Sequence, residues 1–433
     1  MTVSLCAMLG HSFAPNKRRV FSLLTKAISL LLFLGAARPL QSQAAPLPPD
    51  DQYLARAKRI LRQTPLIDGH NDLPWRIRED SVARGNVDAY DLRRPTPGHT
   101  DLARLRKGMV GAQFWSVYTP GEYRDSGYAR VQLEQIDIAR RVIAKYPDRL
   151  ALALSAGDIR RDFSQGKIGS LLGLEGGHAI ENSLAALRMY YDLGVRYMTL
   201  THNVTLDWAD AALDSARHKG LTPFGDSVVR EMNRLGMLVD LSHVSPATMS
   251  AALNVSRAPV IFSHSGARAL VDVPRNVPDS ILQRVTVNGG IVMVPFVTGF
   301  VSPAVLLYDQ STRPLIKDLQ SKYGSDTAAI TREVNQWRKA HPEPRATLSQ
   351  VADQIEYVRS IAGVDHVGIG SDFDGITEVV QGLEDVSTFP ALFAELARRG
   401  WSDSDLRKLA GENLLRVFTQ AEAVSRQMQR GAP

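Results

Sequence analysis

Eight short apolar runs, each of strand length and each followed by helix-forming sequence, dominate this chain. They span residues 65–72, 111–118, 168–175, 197–203, 236–243, 258–265, 289–296 and 366–373. Their β-branched and aromatic content marks buried strands. Between them, apolar residues recur at helical spacing over 128–145, 183–193, 225–235 and 348–361. Parallel strands need crossover helices, and eight such units close into an α/β fold, the (β/α)8 TIM-type barrel. An open doubly wound sheet is the competing architecture, but no G-x-G-x-x-G follows the first run. A length of 433 residues suits one such barrel with insertions. The longest connection lies between the seventh and eighth runs. Its stretch from Ser302 to Ala346 reads as an insertion after strand seven, either a lid or a peripheral helical addition.

The formal net charge of +6 invites a nucleic-acid or membrane-surface reading, so its location matters. Residues 1–44 hold Lys17, Arg18, Arg19, Lys26 and Arg38 and no acid. The basic cluster precedes an apolar run over 27–37, and Ser42-Gln43-Ala44 offers a small-x-small site. That order predicts a signal peptide cut after Ala44 and an exported, periplasmic or secreted protein. The apolar run is shorter than the ~20 residues of a spanning helix. Without the leader, 46 basic residues face 45 acidic ones, and the case for nucleic-acid binding goes with it. Cys6, the one cysteine, leaves too, so no thiol remains as nucleophile, metal ligand or disulfide partner. The expected layout is leader 1–44, linker 45–54, one barrel domain 55–420, and a polar tail 421–433. That tail lacks the hydrophobic stretch of a GPI signal.

Chemistry gathers where the apolar runs end. The first ends Asp68-Gly69-His70-Asn71-Asp72, and residues two apart on a strand share a face. His70 and Asp72 can therefore offer an imidazole and a carboxylate to one metal. The third run ends in Glu175, a carboxylate that needs cations or donors if buried. The fourth, fifth and sixth end in His202, His243 and His264, and the eighth in Asp372 and Asp374. A single histidine on an apolar strand is usually a core residue, but this convergence at one barrel mouth reads as a metal centre. A ligand set of His70, Asp72, Glu175, His243 and His264 exceeds the three protein ligands of a mononuclear catalytic zinc. Two Zn2+ ions sharing Glu175 fit better, and such a pair holds water as hydroxide near neutral pH. His178 reads as a structural neighbour, and His99, His218, His341 and His366 as solvated. Trp75 and Trp115 read as packing residues.

These motifs resemble the zinc-dependent membrane dipeptidase (renal dipeptidase) family of the amidohydrolase superfamily. The resemblance rests on Asp68-Gly69-His70-Asn71-Asp72-Leu73-Pro74-Trp75, Leu174-Glu175-Gly176-Gly177-His178, Leu200-Thr201-His202-Asn203 and Trp208-Ala209-Asp210. It continues through Ser242-His243-Val244-Ser245, Phe262-Ser263-His264-Ser265, Arg275-Asn276-Val277-Pro278-Asp279 and Gly370-Ser371-Asp372-Phe373-Asp374-Gly375. Residues 382–387 and 412–418 also match, in the family's order.

The resemblance implies a dipeptidase in which His70 and Asp72 bind one zinc, His243 and His264 the other, and Glu175 bridges them. It further implies substrate contacts from His202, Arg275 and Asp372. His202 suits an oxyanion donor, Arg275 a planar fork for the substrate carboxylate, and Asp372 a proton carrier. Arg275 has an alternative as the ion-pair partner of Asp272 or Asp279, and Asp374 shares a strand face with Asp372. The mammalian members are anchored at their C-terminus and use cysteines, features absent here after the leader. The insertion after strand seven is also longer than theirs, which leaves substrate preference and the oligomeric contact open. The expected partners are a dipeptide substrate and, as one open assembly state, a homodimer. Neither nucleic acid nor a stable membrane anchor is expected. The alternative function is the same fold and metal chemistry acting on a β-lactam or lactone.

Overall fold

Eight parallel strands pair in a closed ring, and a ninth lies outside it. In chain order they are β1 (Leu66–Asn71), β2 (Val110–Tyr118), β3 (Leu150–Leu152), β4 (Ile168–Glu175), β5 (Val195–Thr199), β6 (Leu238–Asp240), β7 (Ile261–Phe262), β8 (Ile291–Val294) and β9 (Val367–Ile369). This computed structural model describes residues 52–431. The 1–44 leader with Cys6, most of the 45–54 linker and the last two residues lie outside the described residues. The ring runs β1, β2, β4, β5, β6, β7, β8, β9 and back to β1, the closed barrel read from the eight runs. The extra strand β3 pairs with the start of β4, from Leu150 opposite Ile168 to Leu152 opposite Ser170. From Leu172 onward β5 takes over that edge.

Most strands are shorter than their apolar runs because the backbone leaves the ladder where polar side chains begin. Inside the barrel, Ile67, Phe114, Leu171, Tyr197, Leu238, Ile261, Ile291 and Met293 form one buried cluster. Leu414, Leu415, Val417, Phe418 and Ala421 of the C-terminal helix join it. Arg416 Nη1 donates to the Gly289 carbonyl just before β8, which places that helix at the N-terminal mouth of the barrel.

Two expected boundaries move. Residues 421–430 are not a tail but the last turns of helix Asn413–Arg430, with Ala421 and Ser425 buried. Their polar residues occupy the outer face, while the small ones continue the inner stripe. Ser425 Oγ donates to the Arg234 carbonyl at 2.7 Å, and Glu422 Oε1 accepts from the Ala156 amide at 2.9 Å. At the other end, helix Gln52–Leu61 begins inside the expected linker. The insertion is helical, comprising Pro303–Tyr323 and Thr327–Ala340. Gln350 Nε2 anchors its root by donating to Ser302 Oγ. No helix among the described residues is long and apolar enough to cross a membrane.

Candidate metal centre

The C-terminal ends of the barrel strands, the face where barrels of this type build their sites, bring the polar run-ends together. His70 is the last residue but one of β1 with Asp72 just beyond the strand, Glu175 ends β4, and His202, His243, His264 and Asp372 follow β5, β6, β7 and β9. Two loops are tied directly, as the Asp372 amide donates to the His70 carbonyl and the Asp72 amide to the Phe373 carbonyl. His243 and Asp372 both have φ near +66°, a left-handed conformation uncommon outside glycine. Such strain persists where the surrounding structure enforces it, and it clusters at functional sites.

Glu175 sits at the centre, and its two oxygens face different ways. Oε2 lies 3.4 Å from His70 Nε2, which is itself 3.2 Å from Asp72 Oδ2. Oε1 lies 3.0 Å from His243 Nε2 and 3.6 Å from His264 Nε2. The two latter Nε2 atoms are 2.9 Å apart. Ligands about 2.0–2.2 Å from a tetrahedral ion stand about 3.3–3.6 Å from each other, and the His70–Glu175, His70–Asp72 and His264–Glu175 separations lie at or close to that range. Three groupings bring their ligand atoms within 4.8 Å: His70 with Asp72 and Glu175, Glu175 with His243 and His264, and His70 with His264 and Asp372.

Electrostatics agree with that fit. Burial opposes charge on Glu175, yet neighbouring His70 and a hydrogen bond from His243 hold its carboxyl well below the usual range. Burial likewise opposes charge on His70, but Tyr197, Asp72 and Glu175 push its imidazole well up. A proton on His70 thus stands where carboxylates call for positive charge, and His70 Nε2 is buried without a hydrogen-bond partner. Burial drives His243 and His264 well below the ordinary value, which keeps them neutral and free to ligate.

Around this cluster stand the other expected residues. His202 Nε2 is 3.8 Å from Glu175 Oε1, and burial lowers its pKa to about 4. Its ring lies between those of Tyr118 and His243, at 4.8 and 4.3 Å. Asp372 Oδ1 is 3.9 Å from His70 Nε2, and burial raises its carboxyl well above the ordinary value. Arg275 is 2% exposed, its Nη1 has no partner among the described residues, and its guanidinium lies over the Phe300 ring. Burial lowers its pKa to about 10, which leaves it charged at neutral pH. The alternative pairings go elsewhere: Asp272 meets Arg268 Nε at 2.7 Å, and Asp279 accepts from Tyr357. Asp374 turns away from the cluster, where its Oδ1 accepts from the His99 amide and its own amide donates to His99 Nδ1. His99 is therefore a loop clamp rather than a solvated residue.

Several contributors have no sequence signal of their own. Ser116 Oγ donates to Glu175 Oε2, Asn203 Oδ1 meets His243 Nδ1, and Tyr197 OH meets His70 Nδ1. Ser263 Oγ meets His264 Nδ1 at 2.8 Å and donates to Asp240 Oδ2 at 2.6 Å. Within an apolar run, Tyr197 and Asp240 are indistinguishable from core residues until the neighbouring strand is known. His178 donates to the Thr119 carbonyl, and Trp115 is buried in the core, as expected of structural residues.

The barrel resembles those of several solved peptidase structures. The probable dipeptidase PvdM from Pseudomonas aeruginosa is 25% identical over 86% of this chain and 99% of that one, with a TM-score of 0.75. The dipeptidase AC, a metallo peptidase of family M19, is 25% identical over 83% of this chain and 98% of that one, with a TM-score of 0.68. A metallo peptidase from Rhodobacter sphaeroides, liganded with a phosphinate mimic of the dipeptide L-Ala-D-Ala, shares the fold at 24% identity. It covers 83% of this chain and 99% of that one, with a TM-score of 0.67. The family described as Membrane dipeptidase (Peptidase family M19) matches residues 54–431. The chain therefore belongs to the membrane dipeptidase family, peptidase family M19, and is a metallo-dipeptidase.

Proposed function

We propose that this chain hydrolyses dipeptides at a two-zinc centre in which Glu175 bridges one position formed with His70 and Asp72 and another formed with His243 and His264. The observation that carries the reading is the division of Glu175, with Oε2 toward His70 and Oε1 toward His243 and His264. Bound there, zinc would supply Lewis acidity and lower the pKa of a bound water to about 7. The chain's own groups do the rest. Arg275, buried, charged and unpaired, offers its fork to the substrate's free carboxylate. Neutral His202 keeps an N–H to donate to the carbonyl oxygen as negative charge develops there. Asp372, with its raised pKa, takes a proton at Oδ1 and returns one to the leaving amine. With the free carboxylate on Arg275 and the free amine near the metal site, recognition of both charged ends would limit the enzyme to dipeptides. The dipeptide mimic bound by the Rhodobacter sphaeroides peptidase supports this substrate class.

The test is a panel of dipeptides, tripeptides, β-lactams and lactones assayed on wild type and Arg275→Ala. Dipeptides should be preferred, and R275A should lose at least about 100-fold in kcat/KM, mainly through KM, with metal content unchanged. Equal loss of metal and activity would make Arg275 structural, and faster turnover of a lactone would overturn the substrate class. We also propose export, supported by the basic, apolar and small-residue order of residues 1–44. N-terminal sequencing of the mature protein should begin at Ala45, and an intact leader would contradict it.

A further inference from the structure

All three candidate imidazole ligands turn Nε2 toward Glu175, and each is held from behind at Nδ1 by a different group. Asn203 Oδ1, 3.0 Å from His243 Nδ1, can only accept, so that nitrogen carries the proton. For His264 the same tautomer follows from a relay. Ser263 Oγ gives its hydrogen to Asp240 Oδ2 and so accepts from His264 Nδ1. Behind His70 stands a phenol, with Tyr197 OH 2.8 Å from Nδ1.

The fold goes out of its way to seat that phenol. Tyr197 is fully buried inside the barrel, its ring packed 4.9 Å from Phe114. Opposite it in the β4–β5 register stands Gly173. A Cβ at residue 173 would overlap Cζ, Cε1 and the hydroxyl of Tyr197. A missing side chain on one strand thus opens the space that the tyrosine of the next strand fills.

We propose that Tyr197 is a positioning residue for the metal position formed by His70 and Asp72, accepting Nδ1–H of His70 so that Nε2 presents its lone pair to the ion. The inference rests on the two-zinc reading above. Metal-ligating histidines generally have such a partner, and its loss typically weakens metal binding 10–100-fold. Because the phenol touches neither His243 nor His264 among the hydrogen bonds described, its effect should fall on one of the two ions.

The test titrates metal-free wild type and Tyr197→Phe with Zn2+ against a competing chromophoric chelator. Thermal midpoints of both metal-free proteins are recorded in parallel. Phenylalanine retains the ring packing, so the metal-free midpoint should hold. Wild type should take up two equivalents, and Y197F should bind one as wild type does and the other about 10–100-fold more weakly. Gly173→Ala, which keeps the hydroxyl but removes its seat, should weaken the same equivalent. Two unaltered equivalents in Y197F would overturn the proposal, as would equal weakening of both. A wild type that binds a single equivalent would instead contradict the two-zinc reading. In that case an unaltered Y197F would still overturn the role of Tyr197.

Discussion

Burial fixes the protonation state of His202, and that gives the residue a measurable signature. Its pKa falls to about 4, against an ordinary value of about 6.5. The unfolded chain therefore takes up this proton more readily, and folded stability is lost as pH falls from about 6.5 toward about 4. For the metal-free protein, the difference amounts to about 2 kcal/mol between about pH 7 and pH 5. Chemical denaturation of metal-free wild type and His202→Asn at both pH values isolates it from other titrating groups. The variant should lose about 2 kcal/mol less on acidification, and parallel losses would contradict a buried neutral imidazole. At the same scale, Gly370 lets the loops after β7 and β9 meet, since a Cβ there would overlap the Ser263 carbonyl beside His264. His70, Glu175 and Asp372 were legible in the sequence because each interrupts an apolar run at its end. Asn203, Ser263 and Tyr197 were not, because their roles depend on which nitrogen of a neighbouring imidazole they meet.

At the scale of elements, strand periodicity carried most of the fold. All eight apolar runs overlap a barrel strand, and helix Tyr128–Lys145 matches its predicted span. The missed strand, β3, has three residues, too few for a period-two pattern to declare itself. The C-terminal helix was misread beyond residue 420 because its inner stripe switches from Val417 and Phe418 to the small residues Ala421 and Ser425. Small buried residues leave little hydrophobic signal, yet they allow close approach to the helix Pro223–Leu235, whose Arg234 carbonyl accepts from Ser425. Truncation after Gln420 removes that bond, the Glu422 bond to the Ala156 amide, and the packing of Ala421. It should cost about 2–4 kcal/mol, read as a lower denaturation midpoint. An unchanged midpoint would restore the polar-tail reading. The insertion is built as a helical hairpin whose Asp309 and Glu343 carboxyls are both pushed up, first by burial and also by Glu378 of the loop after β9.

Across the whole molecule, closing the sheet into a barrel is what turns scattered residues into a site. His70 and Asp372 are far apart in sequence, yet β1 and β9 are neighbours in the ring. The net charge of +6 comes mainly from residues 1–44, and the remainder is nearly balanced around a concentrated group of buried carboxylates and imidazoles. That concentration is costly without cations and favourable with them. The most direct test follows dipeptide hydrolysis while metal-free protein is titrated with Zn2+ and bound metal is counted. No turnover should appear without metal, and the plateau should be reached only as the second equivalent per chain binds. Full activity at one equivalent, or without metal, would contradict it.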